Sequence, residues 1–215
     1  MSSMKIDTQQ VVLVDDQDQV IGSDNLYSAH AHPSQRHRAI SVWLVRGEGQ
    51  SREVFFQKRS LEKIVGADQW GNGVCGNVKP DESYLGCANR RLKEEIGIEN
   101  ISLSELYKFE YKVYSNKKYG EHEIDQVYTA YYDGEFELNP AEVAQAQWVK
   151  LDELERRLEN FTYISASETL NFDTDQLLGK TPSLELFLND KNNLITPWTA
   201  IMLFDKRLRD ALRDF

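Results

Sequence analysis

The chain has 215 residues, 40% of them hydrophobic, with 35 acidic side chains against 25 basic ones and a formal net charge of -10. That length suits one domain with a sizeable core, and the charge argues against a nucleic-acid backbone or an anionic membrane as the partner. With only Cys75 and Cys87 a disulfide framework is excluded, and with no apolar run near ~20 residues and no signal-peptide stretch at the start, a cytoplasmic protein is expected.

In chain order, residues 11–14 (VVLV) and the segment after DDQDQ read as two short strands around a polar turn. Residues 37–45 (HRAISVWLV) and 52–59 (REVFFQKR) flank a glycine-bearing turn and predict a hairpin. Residues 66–80 are too glycine-rich for a helix interior. From Ser83 to Ile96 the apolar residues Leu85, Ala88, Leu92 and Ile96 recur at helical spacing, and Gly97 stands where a helix-ending glycine belongs. Residues 106–115 and 122–132 alternate as antiparallel strands joined around Asn116–Gly120, and 146–151 is a further strand. LDELERRLEN (151–160) reads as a charged surface helix, SLELFLND as a short helix, and 196–215 as one amphipathic terminal helix with proline at its start. The expectation is one domain over 1–215 of mixed α/β (α+β) class, an α/β/α sandwich, with an irregular insertion near 160–195.

The stretch from Gly76 to Ile98 reads GNVKPDESYLGCANRRLKEEIGI. Glu94 and Glu95, adjacent near the end of one helix, offer hard oxygen ligands suited to Mg²⁺ with substrate phosphates. In register with Gly76, Glu82, Arg90, Leu92, Gly97 and Ile98, they resemble the Nudix box, a loop–helix–loop that binds a divalent cation and a diphosphate. Nudix hydrolases carry glutamate directly after the box arginine. Arg91 stands there instead, which removes a metal ligand and suits gripping a diphosphate without cleaving it.

Upstream lie NGVCGN (72–77) and SAHAHPSQRHRAISVWL (28–44); downstream lie FEYK (109–112), GEHEIDQVY (120–128) and TPWTAIM (196–202). Together with the box these resemble type I isopentenyl-diphosphate isomerase, a Nudix-fold enzyme that interconverts isopentenyl and dimethylallyl diphosphate. The resemblance runs from about residue 10 to 150 and resumes at Trp198. It implies that Cys75 and Glu123 are the catalytic acid–base pair, that Tyr111 supports Glu123, and that the ring of Trp198 faces a developing carbocation. It implies metal ligation by His30, His37, Glu121 and Glu123, and Mg²⁺ held with the diphosphate by Glu95. Arg59, Lys63 and Arg91 match cations that bind the diphosphate.

The resemblance has two departures. Where the family has a fifth ligand histidine this chain has Asn77, whose amide oxygen suits Mg²⁺ or Mn²⁺ better than Zn²⁺. Where some members carry a phosphate-binding lysine, this chain has Leu26. His32 and His122 match no ligand position and read as surface residues, and Cys87 as packing. The partner expected is a small isoprenoid diphosphate, with no nucleic acid or membrane, acting on a monomer or weak dimer. Two rival readings stay open: a pyrophosphohydrolase of a nucleoside diphosphate derivative, which has no use for Cys75, and a non-catalytic binding module.

Overall fold

The apolar, β-branched run His37–Arg46 forms strand β3, on which the sheet is organised. The computed structural model describes residues 9–159, 165–170 and 194–215. Before β3 come β1 (Gln10–Val14), β2 (Val20–Asn25) and a short helix α1 (Leu26–His30); after it come β4 (Glu53–Arg59), β5 (Trp70–Gly71) and β6 (Val74–Asn77). Helix α2 (Tyr84–Ile96) then leads to β7 (Ser104–Tyr114), β8 (Gly120–Tyr131) and β9 (Val143–Lys150). Among the described residues four helices follow: α3 (Leu151–Leu158), α4 (Ala166–Thr169), α5 (Pro197–Phe204) and α6 (Lys206–Asp214).

One edge of β3 runs parallel to β8, from His37 opposite Glu123 to Val45 opposite Tyr131. Its other edge is shared in turn by β1 at His37, by β6 from Ala39 to Val42, and by β4 at Val45 and Arg46. Because side chains alternate along a strand, β3 presents two unlike faces. Ile40, Val42 and Leu44 pack against Cys87, Ala88, Leu92 and Ile96 of α2. Trp43 and Val45 pack in the opposite core with Leu154 of α3, Ile201 of α5 and Leu208 of α6. The sheet is thus covered by helices on both faces, the expected mixed α/β sandwich.

Helix α2 starts where Ser83 accepts a hydrogen bond from the Gly86 N–H and ends at Gly97, whose φ of 71° is left-handed. Leu85, expected on its apolar face, is 45% exposed; burial along α2 begins only at Cys87, one turn in. The buried face also carries Arg91 and Glu95, so it is only partly apolar. Helix α3, expected as a surface helix, buries Leu151, Leu154 and Leu158.

The single terminal helix expected over 196–215 is two helices. Asp205 breaks it in extended conformation (φ -76°, ψ 121°), and its carboxylate caps α6 by accepting from the Arg207 N–H. Helix α5 is buried from Pro197 to Leu203, whereas α6 buries only Leu208 and Leu212. Most of the expected insertion near 160–195, and the short helix expected at SLELFLND, lie outside the described residues.

Candidate active site

The residues predicted as metal ligands converge. Asn25 caps α1 by accepting from the Tyr27 N–H, and the helix delivers His30 at its last position. The His30 Nδ1 lies 2.7 Å from the Leu26 carbonyl and the His37 Nδ1 2.8 Å from the Gln35 carbonyl. Each ring therefore donates Nδ1–H to the backbone and turns Nε2 inward, the orientation that metal-ligating imidazoles take. Glu121 and Glu123, two apart on β8, face them. His30 Nε2 is 2.9 Å from Glu121, and His37 Nε2 is 3.3 Å from Glu123.

Ligand atoms of all four side chains lie within 4.8 Å of one another, and all four residues are buried. His37 Nε2 and Glu121 Oε2 are enclosed without a well-formed hydrogen bond. Enclosed carboxylates and unpaired ring nitrogens are costly unless a cation completes them, and this donor set fits a divalent ion. Burial would lower the pKa of His30, but the Glu121 carboxylate outweighs it and holds the imidazole up at about 9. Burial and the neighbouring Glu121 together raise Glu123 above the usual carboxylate range. Asn77 stands beside the cluster, its Nδ2 3.5 Å from His30 Nε2.

Beside the cluster lies the second chemical group. Tyr111 stands opposite Glu123 in the β7–β8 register, is buried, and donates its hydroxyl hydrogen to Glu123 Oε2. Cys75, opposite Ser41 on β6, donates its thiol hydrogen to Asn72 Oδ1 at 3.1 Å. Burial, with Asp125 nearby, pushes that thiol up to about 12. Asp125 itself receives a 2.7 Å hydrogen bond from Ser41, and burial followed by the Glu123 charge raises it well above the carboxylate range. Sequence reasoning passed over Asp125, although it is the third carboxyl of the alternating run Glu121, Glu123, Asp125 that places all three on one face.

The third part is cationic. The Arg59 guanidinium bonds the Val65 carbonyl and lies 5.2 Å from the centre of the Trp198 ring. Arg91 belongs to α2, and its stem lies against β6 at Gly76. It contacts Glu94 at 2.7 Å, Glu142 at 2.6 Å, and Glu95 through Nε at 3.1 Å. Lys63 also pairs with Glu142. Glu95 is fully buried and takes a further 2.6 Å bond from Gln57. Glu142, in the loop before β9, is an acid that no motif flagged. Burial pushes it up, but Lys63 and Arg91 outweigh that and hold it near 2.

One cavity of about 610 Å³ joins the three parts. His30, Glu121, Glu123, Asn77, Cys75, Tyr111, Arg59, Lys63, Arg91 and Trp198 all open onto it, as does Leu26. His37 and Glu95 are buried and adjoin it through Glu123 and Arg91. His32 and His122 stand apart, but both are part-buried and engaged rather than free surface residues: His32 with the Asn116 carbonyl, His122 with Glu110. Cys87 is on the buried face of α2, as expected of packing.

The family model described as NUDIX domain matches residues 35–168. A protein named isopentenyl-diphosphate Delta-isomerase 1, from Photorhabdus laumondii, is 32% identical over 71% of this chain and 85% of its own length. An isopentenyl-diphosphate Delta-isomerase of Enterobacter sp. (strain 638) is 34% identical over 70% of this chain and 81% of its own. The chain belongs to the Nudix-type isopentenyl-diphosphate Delta-isomerases. The fold agrees: the crystal structure of DR0079 from Deinococcus radiodurans superposes with a TM-score of 0.55 at 19% identity, over 76% of this chain and 98% of that one. His30 and Trp198 fall outside the residues that this family model matches.

Proposed function

We propose that this chain interconverts isopentenyl diphosphate and dimethylallyl diphosphate by adding a proton at one carbon and removing one from another. The observation that carries the reading is the placing of Cys75 and Glu123. They open into one cavity from strands on opposite edges of β3, Cys75 level with Ser41 and Glu123 level with His37. A five-carbon chain between them meets a proton donor on one side and an acceptor on the other.

Each part of the cavity has a task. Protonating an unactivated alkene makes a tertiary cation-like centre, so water must be kept away. Trp198, 3% exposed, turns aromatic surface toward that centre. Tyr111 holds Glu123 in position. Arg59, Lys63 and Arg91 grip the diphosphate, Arg91 where hydrolases carry a ligand glutamate. This exchange favours isomerisation over a Nudix pyrophosphohydrolase.

His30, His37, Glu121 and Glu123 would hold a divalent cation, Mn²⁺ or Mg²⁺ in our reading because Asn77 supplies only an amide where an imidazole would favour Zn²⁺. A cation held there would supply Lewis acidity, making the Glu123 carboxyl a stronger acid. Glu95 would hold Mg²⁺ shared with the diphosphate. We place the protein in the cytoplasm, as a monomer or weak dimer.

Proton and phosphorus resonance spectroscopy in D₂O tests the reading. Isopentenyl diphosphate should yield dimethylallyl diphosphate with deuterium in a methyl group and no released phosphate. Phosphate release without double-bond migration would mark a hydrolase instead.

A further inference from the structure

Asn72 has no part in the reading above, yet it is fully buried and touches its reactive thiol. Its side-chain orientation is dictated on both sides. Nδ2 donates to the Val42 carbonyl at 3.3 Å and the Val74 carbonyl at 3.1 Å. The carbonyl oxygen must therefore face the other way. There it accepts from Cys75 Sγ at 3.1 Å and from Thr199 Oγ1 at 3.0 Å.

Thr199 is equally constrained. Its hydroxyl gives its one hydrogen to Asn72 and accepts two, from the Asn72 backbone N–H at 3.2 Å and from Thr196 Oγ1 at 2.7 Å. A hydroxyl has one hydrogen and two lone pairs, so its capacity is filled. Trp198 is the neighbouring residue on the same helix. One amide oxygen thus ties together the thiol of β6 and the helix that carries the aromatic ring.

We infer that Asn72 is a positioning residue for the isomerisation: its side-chain oxygen holds the Cys75 thiol in one rotamer, and Thr199 sets α5, with Trp198, against the same oxygen. The inference rests on the proposed role of Cys75. A purely structural asparagine needs only its two Nδ2 bonds, and these join β3 and β6 at Val42 and Val74, which the sheet already pairs. The two donors on its oxygen come instead from Cys75, which opens onto the cavity, and from Thr199, the residue after cavity-lining Trp198. The other group near the sulfur, Ser41 Oγ, lies at 3.6 Å and is committed to Asp125, so it cannot fix the rotamer alone. Misplacing a reacting group by about 1 Å costs up to roughly 100-fold in rate.

The test compares Asn72→Ala, Thr199→Val, Thr199→Ser and Cys75→Ala in the isomerase assay, with inorganic pyrophosphate binding measured by calorimetry. Asn72→Ala should lower kcat by about tenfold or more, with KM and pyrophosphate affinity within about twofold of the native protein. Thr199→Val, of nearly the same shape, should lower kcat several-fold, and Thr199→Ser should recover most of that loss. If Asn72→Ala fails to fold, the Thr199 pair decides. Native-like kcat in folded Asn72→Ala or Thr199→Val, beside an inactive Cys75→Ala, overturns the inference alone. Equal losses of kcat and pyrophosphate affinity overturn it in favour of plain structural support. An active Cys75→Ala overturns the reading of the thiol and this inference with it.

Discussion

The Arg91 side chain lies against β6 at Gly76, where an added Cβ would stand 2.5 Å from Arg91 Cγ and 2.8 Å from Cδ. Only a residue without a side chain at this point of β6 leaves room for the Arg91 stem, whose guanidinium opens onto the cavity. The glycine that opens the box motif and the arginine that replaces its glutamate form one device. Gly76→Ala should push Arg91 aside and weaken binding of inorganic pyrophosphate by about tenfold or more, the scale of one lost charge-assisted contact. Calorimetry would read this, and an affinity equal to that of the native protein would mean that Arg91 does not serve the diphosphate.

Glu142 holds Lys63 and Arg91 at the cavity, and its depressed pKa makes it a source of stability with a defined pH range. A carboxyl whose folded pKa is near 2, against an ordinary value of about 4.3, binds its proton more weakly when folded than when unfolded. Its contribution is therefore complete above the unfolded value and is lost as pH falls toward 2, on the order of 2–3 kcal/mol over that range. Glu142→Gln should flatten the acid side of the Tm-against-pH curve and leave its slope at neutral pH alone. Parallel curves for the two proteins would contradict the pairing.

Much of the site was legible because it is written in alternation and in box spacing. Glu121 and Glu123 share a face by strand period, and Glu94 and Glu95 end the box helix. What escaped was set by tertiary pairing. Glu142 lies in a loop with no signature and meets Lys63 only because β9 pairs with β4. Asn72 and Thr199, 127 residues apart, meet only once α5 packs on the sheet. The break at Asp205 did leave a trace: IMLF is apolar throughout, whereas KRLRDALRD is amphipathic, and a single helix rarely changes from enclosed to one-sided within a turn.

Residue 77 should tune the metal. Imidazole binds transition metals better than an amide does, so Asn77→His should raise affinity for Zn²⁺ and Mn²⁺ more than for Mg²⁺. Chelation should lower the Tm of the metal-loaded native protein, since binding to the folded state alone stabilises it. Calorimetric titrations of both variants that give the same affinity for every metal would place residue 77 away from the ion.

Tyr111→Phe removes the hydroxyl that Glu123 receives inside the site. Turnover should drop by about tenfold, while a stability change near 1 kcal/mol reports the lost hydrogen bond. Unaltered kcat would show that the metal ligands alone hold Glu123 in place.

The acid–base pair is the centre of the account, and turnover of isopentenyl diphosphate by the native protein, Cys75→Ala and Glu123→Gln, each with Mg²⁺ and Mn²⁺ supplied, tests it most directly. The native protein should form dimethylallyl diphosphate. Each variant should be slower by at least about 100-fold, the usual scale for a positioned proton-transfer group, with pyrophosphate binding retained in Cys75→Ala. Near-native isomerisation by Cys75→Ala, or none by the native protein with either metal, would contradict it.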